Sequence, residues 1–267
     1  MNRHKTKTVI LQTMSLLLLW GLCPGAAWAE PAAFPAAPEV MPPVPAKKLA
    51  IVIDDLGNGM AGTEDIIELP IPLTVAIMPF LSTTKRDAEW AHAKGKAVIV
   101  HLPMEPLRGM SRSLGPGAIT TNLSDEEIRR RVEAAIDEVP FAEGVNNHMG
   151  SKATSDERVM RIVLEVCKER GLIFLDSKTN YFSVTGKIAR ELGVKYVENE
   201  LFLDDVASAA HVQKQVGEIK KRLQKQETCV VIGHVGRPGK KTPQVLREAI
   251  PELERQTRFV TVRELAR

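Results

Sequence analysis

Short apolar runs alternate with amphipathic segments along most of this chain. The runs are Leu49–Ile53, Leu73–Met78, Ala97–Leu102, Val145–Met149, Leu172–Leu175, Val194–Val197, Cys229–Ile232 and Phe259–Val262. They are rich in β-branched residues and nearly continuous in apolar character, as strands buried on both faces are. Helical periodicity between them predicts helices at Thr83–Lys94, Asp125–Glu138, Asp156–Arg170, Ser183–Leu192, Ala209–Gln226 and Pro243–Gln256. Ser124, followed three residues later by Glu127, forms a capping box for the second of these. Gly95, Gly171 and Gly193 follow three of the patterns where helices commonly stop. Repeated strand–helix alternation predicts an α/β fold with a parallel sheet and helices outside. Seven or eight mostly parallel strands favour a (β/α) barrel over an open doubly wound sheet.

The pattern begins only near residue 48. Before it, Arg3, Lys5 and Lys7 precede the apolar stretch Val9–Leu22, and Ala27-Trp28-Ala29 offers a small-residue cleavage site. Residues 1–29 are therefore expected to be a secretory signal peptide, which places the mature protein in the periplasm. Leu22 stands before Cys23 where lipid attachment needs a small residue, which argues against a lipoprotein. Residues 30–47 are rich in Ala and Pro and read as an extended linker. Residues 48–267 form one domain.

Removing the signal peptide changes the charge balance. The chain has 36 Lys+Arg and 33 Asp+Glu. Three of the basic residues and none of the acidic ones lie in residues 1–29, leaving 33 against 33. Nothing in this balance points to nucleic acid, and no stable membrane span is expected after signal cleavage. Cys167 lies in a helical pattern and Cys229 opens a strand pattern, so both are read as separate buried thiols. No G-x-G-x-x-G or Walker A pattern follows the first strand, which argues against dinucleotides and nucleoside triphosphates. The glycine-rich stretch Gly109–Gly117 reads as a rim loop, or lid, after the third strand.

The candidate chemistry lies where the strands end. The first ends in Asp54-Asp55, and the third in His101-Leu-Pro-Met-Glu105. The fourth carries Asn146-Asn147-His148, and the fifth ends in Asp176-Ser177-Lys178-Thr179. The strand Cys229–Ile232 leads into Gly233-His234 and then Arg237. In a parallel barrel all these ends converge on the face where ligands bind. His92 and His211 fall in helices and read as surface residues. Carboxylates with imidazoles suit a zinc-like divalent ion with one open position. A further Asp then serves as general base and a His as general acid, which points to metal-assisted hydrolysis. Lys178 and Arg237 keep a phosphoester substrate in view. Trp90, Tyr181 and Tyr196 mark no obvious platform for stacking a sugar.

Ile51-Val-Ile-Asp-Asp-Leu-Gly57, His101-Leu-Pro-Met-Glu-Pro106, Gly144-Val-Asn-Asn-His-Met-Gly-Ser151, Phe174-Leu-Asp-Ser-Lys-Thr179 and Ile232-Gly-His234 together resemble the divergent polysaccharide deacetylases. These are distant relatives of the NodB-homology carbohydrate deacetylases. The resemblance spans residues 48–267 and implies a distorted (β/α) barrel that removes acetyl groups from a glycan with a divalent metal, zinc by expectation. It implies Asp54 as general base, Asp55 as metal ligand and His234 as proton donor to the leaving group. The superfamily's His-x-x-x-His motif is broken here, because Glu105 stands where the second His is expected. His148 is therefore expected to join Asp55 and His101 as the third ligand, with Glu105 in reserve. Asp176 is expected to orient a histidine. The broken motif leaves an alternative, an envelope module that keeps the fold and binds glycan or protein without turnover.

Overall fold

The computed structural model describes residues 47–109 and 114–267. The expected signal peptide, the Ala/Pro-rich segment up to residue 46 and residues 110–113 of the glycine-rich loop lie outside the described residues. Among the described residues nine strands are present: β1 (Lys47–Leu56), β2 (Thr74–Ile77), β3 (Ala97–Met104), β4 (Ala142–Met149), β5 (Ile173–Asp176), β6 (Tyr196–Glu198), β7 (Leu201–Phe202), β8 (Thr228–His234) and β9 (Thr257–Val260). Seven helices connect them: α1 (Thr63–Ile67), α2 (Thr84–Ala93), α3 (Asp125–Glu138), α4 (Glu157–Glu169), α5 (Thr185–Leu192), α6 (Ala209–Lys225) and α7 (Lys241–Leu253). The expected elements are all present to within a few residues. The Ser124 hydroxyl caps α3 by accepting from the Glu127 N–H. Two short elements, α1 and β7, were not expected from the pattern.

The strands pair in parallel in the order β6-β5-β4-β3-β2-β1-β8-β7. The two end strands are neighbours in sequence, separated only by Asn199 and Glu200. The Asn199 N–H donates to the Asp176 carbonyl at 2.9 Å, and the Glu200 N–H donates to the Val230 carbonyl at 3.0 Å. One extended stretch therefore bonds to the β5 side with its first half and to the β8 side with its second. It closes the sheet into a distorted barrel. The β1 edge opposite β8 is shared, with β9 along its first half and β2 along its second.

Side chains alternate across each strand. Leu49, Ile51 and Ile53 of β1 belong to the larger core, which also takes in helix residues such as Ile128, Val132 and Val163. Ala50 and Val52 pack with Ile99, Ile173, Leu175, Val230 and Ile232 in a second cluster that fills the barrel interior. Both faces of the strands are thus buried, which explains their unbroken apolar runs. Carrying the inward alternation one step further places Asp54 after Val52, His101 after Ile99, Ser177 after Leu175 and His234 after Ile232. Cys167 and Cys229 are buried and unpaired. Burial pushes both thiols up to about 12.

Candidate metal centre

Asp54 and His234 are direct register partners on β1 and β8, and His101 and Asn146 are partners on β3 and β4. Strict alternation would turn Asp55 away from the interior. The β1–β2 pairing shifts register between Ile53 and Leu56, and Asp55 takes a left-handed φ of 71°. Such an irregularity re-aims a side chain at a cost in backbone strain. Here it brings the Asp55 carboxylate into the site. Gly57 completes the turn at φ 114°, with an added Cβ falling 2.8 Å from the Met78 carbonyl oxygen.

Three donor atoms then converge. His101 Nε2 lies 3.4 Å from Asp55 Oδ1, His148 Nδ1 lies 3.2 Å from the same oxygen, and the two nitrogens are 3.0 Å apart. Ligands about 2.0–2.1 Å from a tetrahedral zinc lie about 3.3 Å from one another. The observed triangle has that size, so this donor set fits a divalent ion of the zinc type. Asn146 sets the His101 tautomer. Its Oδ1 accepts from His101 Nδ1 at 2.8 Å, which leaves Nε2 facing the other two donors and available to a metal. The Asn146 amide donates in turn to Asp54 Oδ1 at 2.9 Å.

Electrostatics separate the two carboxylates. Asp54 is almost fully buried, and desolvation lifts its pKa above the ordinary carboxylate value despite nearby His101 and His234. Burial also acts upward on Asp55, but hydrogen bonds from His101 and His148 outweigh it and hold Asp55 well below that range. Burial pulls His234 down. The Asp204 hydrogen bond and the charges of Asp54, Asp204 and Asp55 win, lifting His234 to about 9. His234 Nδ1 donates to Asp204 Oδ1 at 2.7 Å. Asp204 Oδ2 accepts from the His234 N–H at 2.9 Å and from the Thr242 hydroxyl at 2.6 Å.

These groups open into a cavity of about 210 Å³, lined by Asp54, Asp55, His101, His148, Phe202 and His234 among others. Larger clefts elsewhere, such as one of about 510 Å³ beside Arg258 and Phe259, hold no comparable cluster. A family model described as divergent polysaccharide deacetylase matches residues 51–266. The chain belongs to the divergent polysaccharide deacetylase family.

This deacetylase-family chain is 34% identical over 213 residues to an uncharacterized protein of Haemophilus influenzae, covering 80% of this chain and 74% of that one. It is 34% identical over 221 residues to the uncharacterized protein YibQ of Escherichia coli, covering 83% and 68%. Among solved structures, the protein ATU2773 of Agrobacterium tumefaciens superposes with a TM-score of 0.77 at 18% identity, covering 84% and 91%. That likeness is one of fold.

Two of the residues singled out in the sequence, the reserve ligand Glu105 and Asp176, take no part in the site. Glu105, the reserve ligand, lies outside the donor triangle. Its carboxylate accepts from the Thr121 N–H and hydroxyl and pairs with Lys152 at 2.8 Å, tying down the loop after β3. Asp176 orients no histidine. It follows Phe174 on the outward face of β5, where its carboxylate accepts from the Lys178 N–H and from the Ser183 and Tyr196 hydroxyls. The residue that does orient a histidine is Asp204, which sequence reasoning missed. The signal was present, because Leu201-Phe-Leu-Asp204-Asp205 repeats the apolar run ending in paired carboxylates seen in β1. Lys178 pairs with Glu198 at 3.2 Å, and Arg237 is exposed. Among the described residues no lysine or arginine lines the cavity.

Proposed function

We propose that this protein is an exported, divalent-metal-dependent hydrolase that removes acetyl groups from a glycan of the cell envelope. One observation carries the reading. A triangle of one carboxylate and two imidazoles is flanked by a separate carboxylate, Asp54, and a separate imidazole, His234. Asp55, His101 and His148 would hold the metal, with zinc the best match to the donor set. A bound ion of this kind polarises a carbonyl and makes water a better nucleophile near neutral pH.

The remaining steps belong to the chain. Asp54 takes the proton from the attacking water. Asn146 occupies its Oδ1, which leaves Oδ2 for that role. The raised pKa of Asp54 makes it a better base than an exposed carboxylate. His234, kept protonated by Asp204, gives a proton to the departing sugar nitrogen or oxygen. Asn146 couples the base to the His101 ligand and keeps both oriented.

The test is acetate release from acetylated chitooligosaccharides and peptidoglycan fragments, with and without zinc. Wild-type protein with zinc should release acetate, and Asp54→Asn should lose the activity while binding zinc as before. Turnover by Asp54→Asn at the wild-type rate would remove Asp54 from the role of base. Zinc and glycan binding by wild-type protein without acetate release would instead establish the catalytically silent module. Export rests on the order of basic, apolar and small residues in residues 1–29. Sequencing of the mature protein from a periplasmic fraction should begin at Glu30. Among the described residues no helix is long and apolar enough to cross a membrane.

A further inference from the structure

Exposed large apolar side chains are unevenly placed on this protein. Seven are found among the described residues, and six of them (Met60, Phe80, Leu107, Tyr181, Phe182 and Val206) lie on loops that leave the C-terminal ends of strands. Only Phe141 precedes its strand, and its ring stacks on His92 at 3.9 Å. The apolar exposure is thus concentrated on the face that carries the metal centre. Tyr181 and Phe182 are the extreme cases, at 98% and 78% exposed.

Their loop is held firmly. The Asn180 amide donates to the Ser151 carbonyl at 2.9 Å and to the Thr154 hydroxyl at 2.8 Å. Its side-chain oxygen accepts from the Phe182 N–H at 2.6 Å. The Thr179 hydroxyl donates to the Met149 carbonyl at 2.9 Å. Thr179 and Met149 both line the cavity. Tyr181 therefore stands two residues, at most about 7 Å of chain, from the cavity wall. The braced backbone fixes where the two rings attach, so a ligand that stacks on them meets no cost of ordering the loop.

The size of the cavity limits what it can enclose. At about 210 Å³ it falls below the ~300–1,000 Å³ typical of pockets that enclose a whole small molecule. It takes an acetyl group and the edge of one sugar ring, so the rest of a glycan must lie across the rim. The apolar faces of pyranose rings pack on aromatic rings. The sequence neighbours Lys178, Thr179, Asn180 and Ser183 are polar, so within this loop the apolar surface comes from the two rings. That is the scale of one or two sugar residues and far below the ~800 Å² per side of a stable protein interface.

We infer that Tyr181 and Phe182 form a stacking platform for the sugar residues next to the acetylated one, so that this protein selects an oligosaccharide over a single sugar. The inference rests on the deacetylase reading for the kind of ligand, but binding tests it without turnover. The experiment measures calorimetric affinity of the full chain, zinc-loaded and, for the binding measurements alone, carrying Asp54→Asn so that the ligand is not consumed, for tetra-N-acetylchitotetraose and for N-acetylglucosamine. Wild-type protein is compared with the double variant Tyr181→Ala/Phe182→Ala, and acetate release is followed in parallel with 4-nitrophenyl acetate as a small ester.

Wild-type protein should bind the tetrasaccharide at least tenfold more tightly than the monosaccharide. The double variant should lose on the order of tenfold in tetrasaccharide affinity, as expected for two lost aromatic contacts. Its monosaccharide binding and small-ester hydrolysis should not change. Both positions are exposed, so folding is unaffected, which a thermal melt checks. Unchanged tetrasaccharide affinity in the variant overturns the platform. So does a wild-type protein that binds no oligosaccharide, which would leave the two rings as a protein-docking tip. Absence of acetate release, with tetrasaccharide binding that depends on the two rings, would sink the catalytic reading and leave the platform standing.

Discussion

The Asp204–His234 pair gives the most quantitative prediction. Asp204→Asn removes a negative charge 2.7 Å from His234 Nδ1 while keeping an oxygen that can accept its hydrogen bond. Burial opposes protonation of His234, and the carboxylates around it raise its pKa from 6.5 to about 9. An opposite charge within about 4–6 Å moves a pKa by about 1–3 units, so the metal-free variant should titrate His234 at least about one unit lower. One unit corresponds to about 1.4 kcal/mol of preference for the imidazolium. Long-range proton–nitrogen NMR of the ring reads the midpoint directly. The folded pKa lies above the unfolded one. The charge pair therefore stabilises the fold fully below pH 6.5, and its contribution is lost as pH rises through about 9. The variant's stability deficit in urea should accordingly be largest below pH 6.5 and shrink as pH passes about 9. An unmoved midpoint near 9, or a deficit that is flat with pH, would refute the claim that Asp204 keeps His234 protonated.

Other outcomes follow from the same geometry. Asn146→Ala frees the His101 ring and should weaken zinc binding by roughly 10–100-fold, measured by competition with a chelating dye. Glu105→Gln should leave zinc affinity and stoichiometry unchanged, because Glu105 is bonded to Thr121 and Lys152; a lost zinc would restore it as a ligand. Gly57→Ala drives a Cβ to 2.8 Å from the Met78 carbonyl oxygen at φ 114°. It should cost about 2–3 kcal/mol in urea unfolding, and a cost under about 0.5 kcal/mol would contradict the strained turn. In the zinc-loaded enzyme, acetate release should rise with pH as Asp54 ionises. It should fall again as His234 loses its proton, and Asp204→Asn should move that alkaline limb to lower pH.

Much of this architecture is legible in the chain because its strands are buried on both faces. The apolar runs from residue 49 on therefore mark strands, and those of β1, β3, β4, β5 and β8 lead into residues that line the cavity. The helix α1 has five residues, too few to show a period, and β7 has two, so neither stands out from the pattern. The closing role of residues 196–202 depends on pairing to both ends of the sheet, which no local pattern carries. His101 and His234 follow from alternation with Ile99 and Ile232. The same rule sends Asp176 outward with Phe174, although a strand-end Asp invited the opposite reading. Asp55 breaks the rule through the β1 register shift and its positive φ, and the Gly57 that permits the turn is its one trace in the sequence. Tyr181 shows no spacing that marks a platform. Its importance comes from the braced Asn180 loop and from the small cavity beside it.

The central claim is that Asp55, His101 and His148 hold one divalent ion. The most direct measurement is anomalous diffraction at the zinc edge from crystals of the zinc-loaded protein. The account predicts a single peak about 2.0–2.2 Å from Asp55 Oδ1, His101 Nε2 and His148 Nδ1, with one position left open. A peak ligated by Glu105, or no peak between the three donors at saturating zinc, would contradict it.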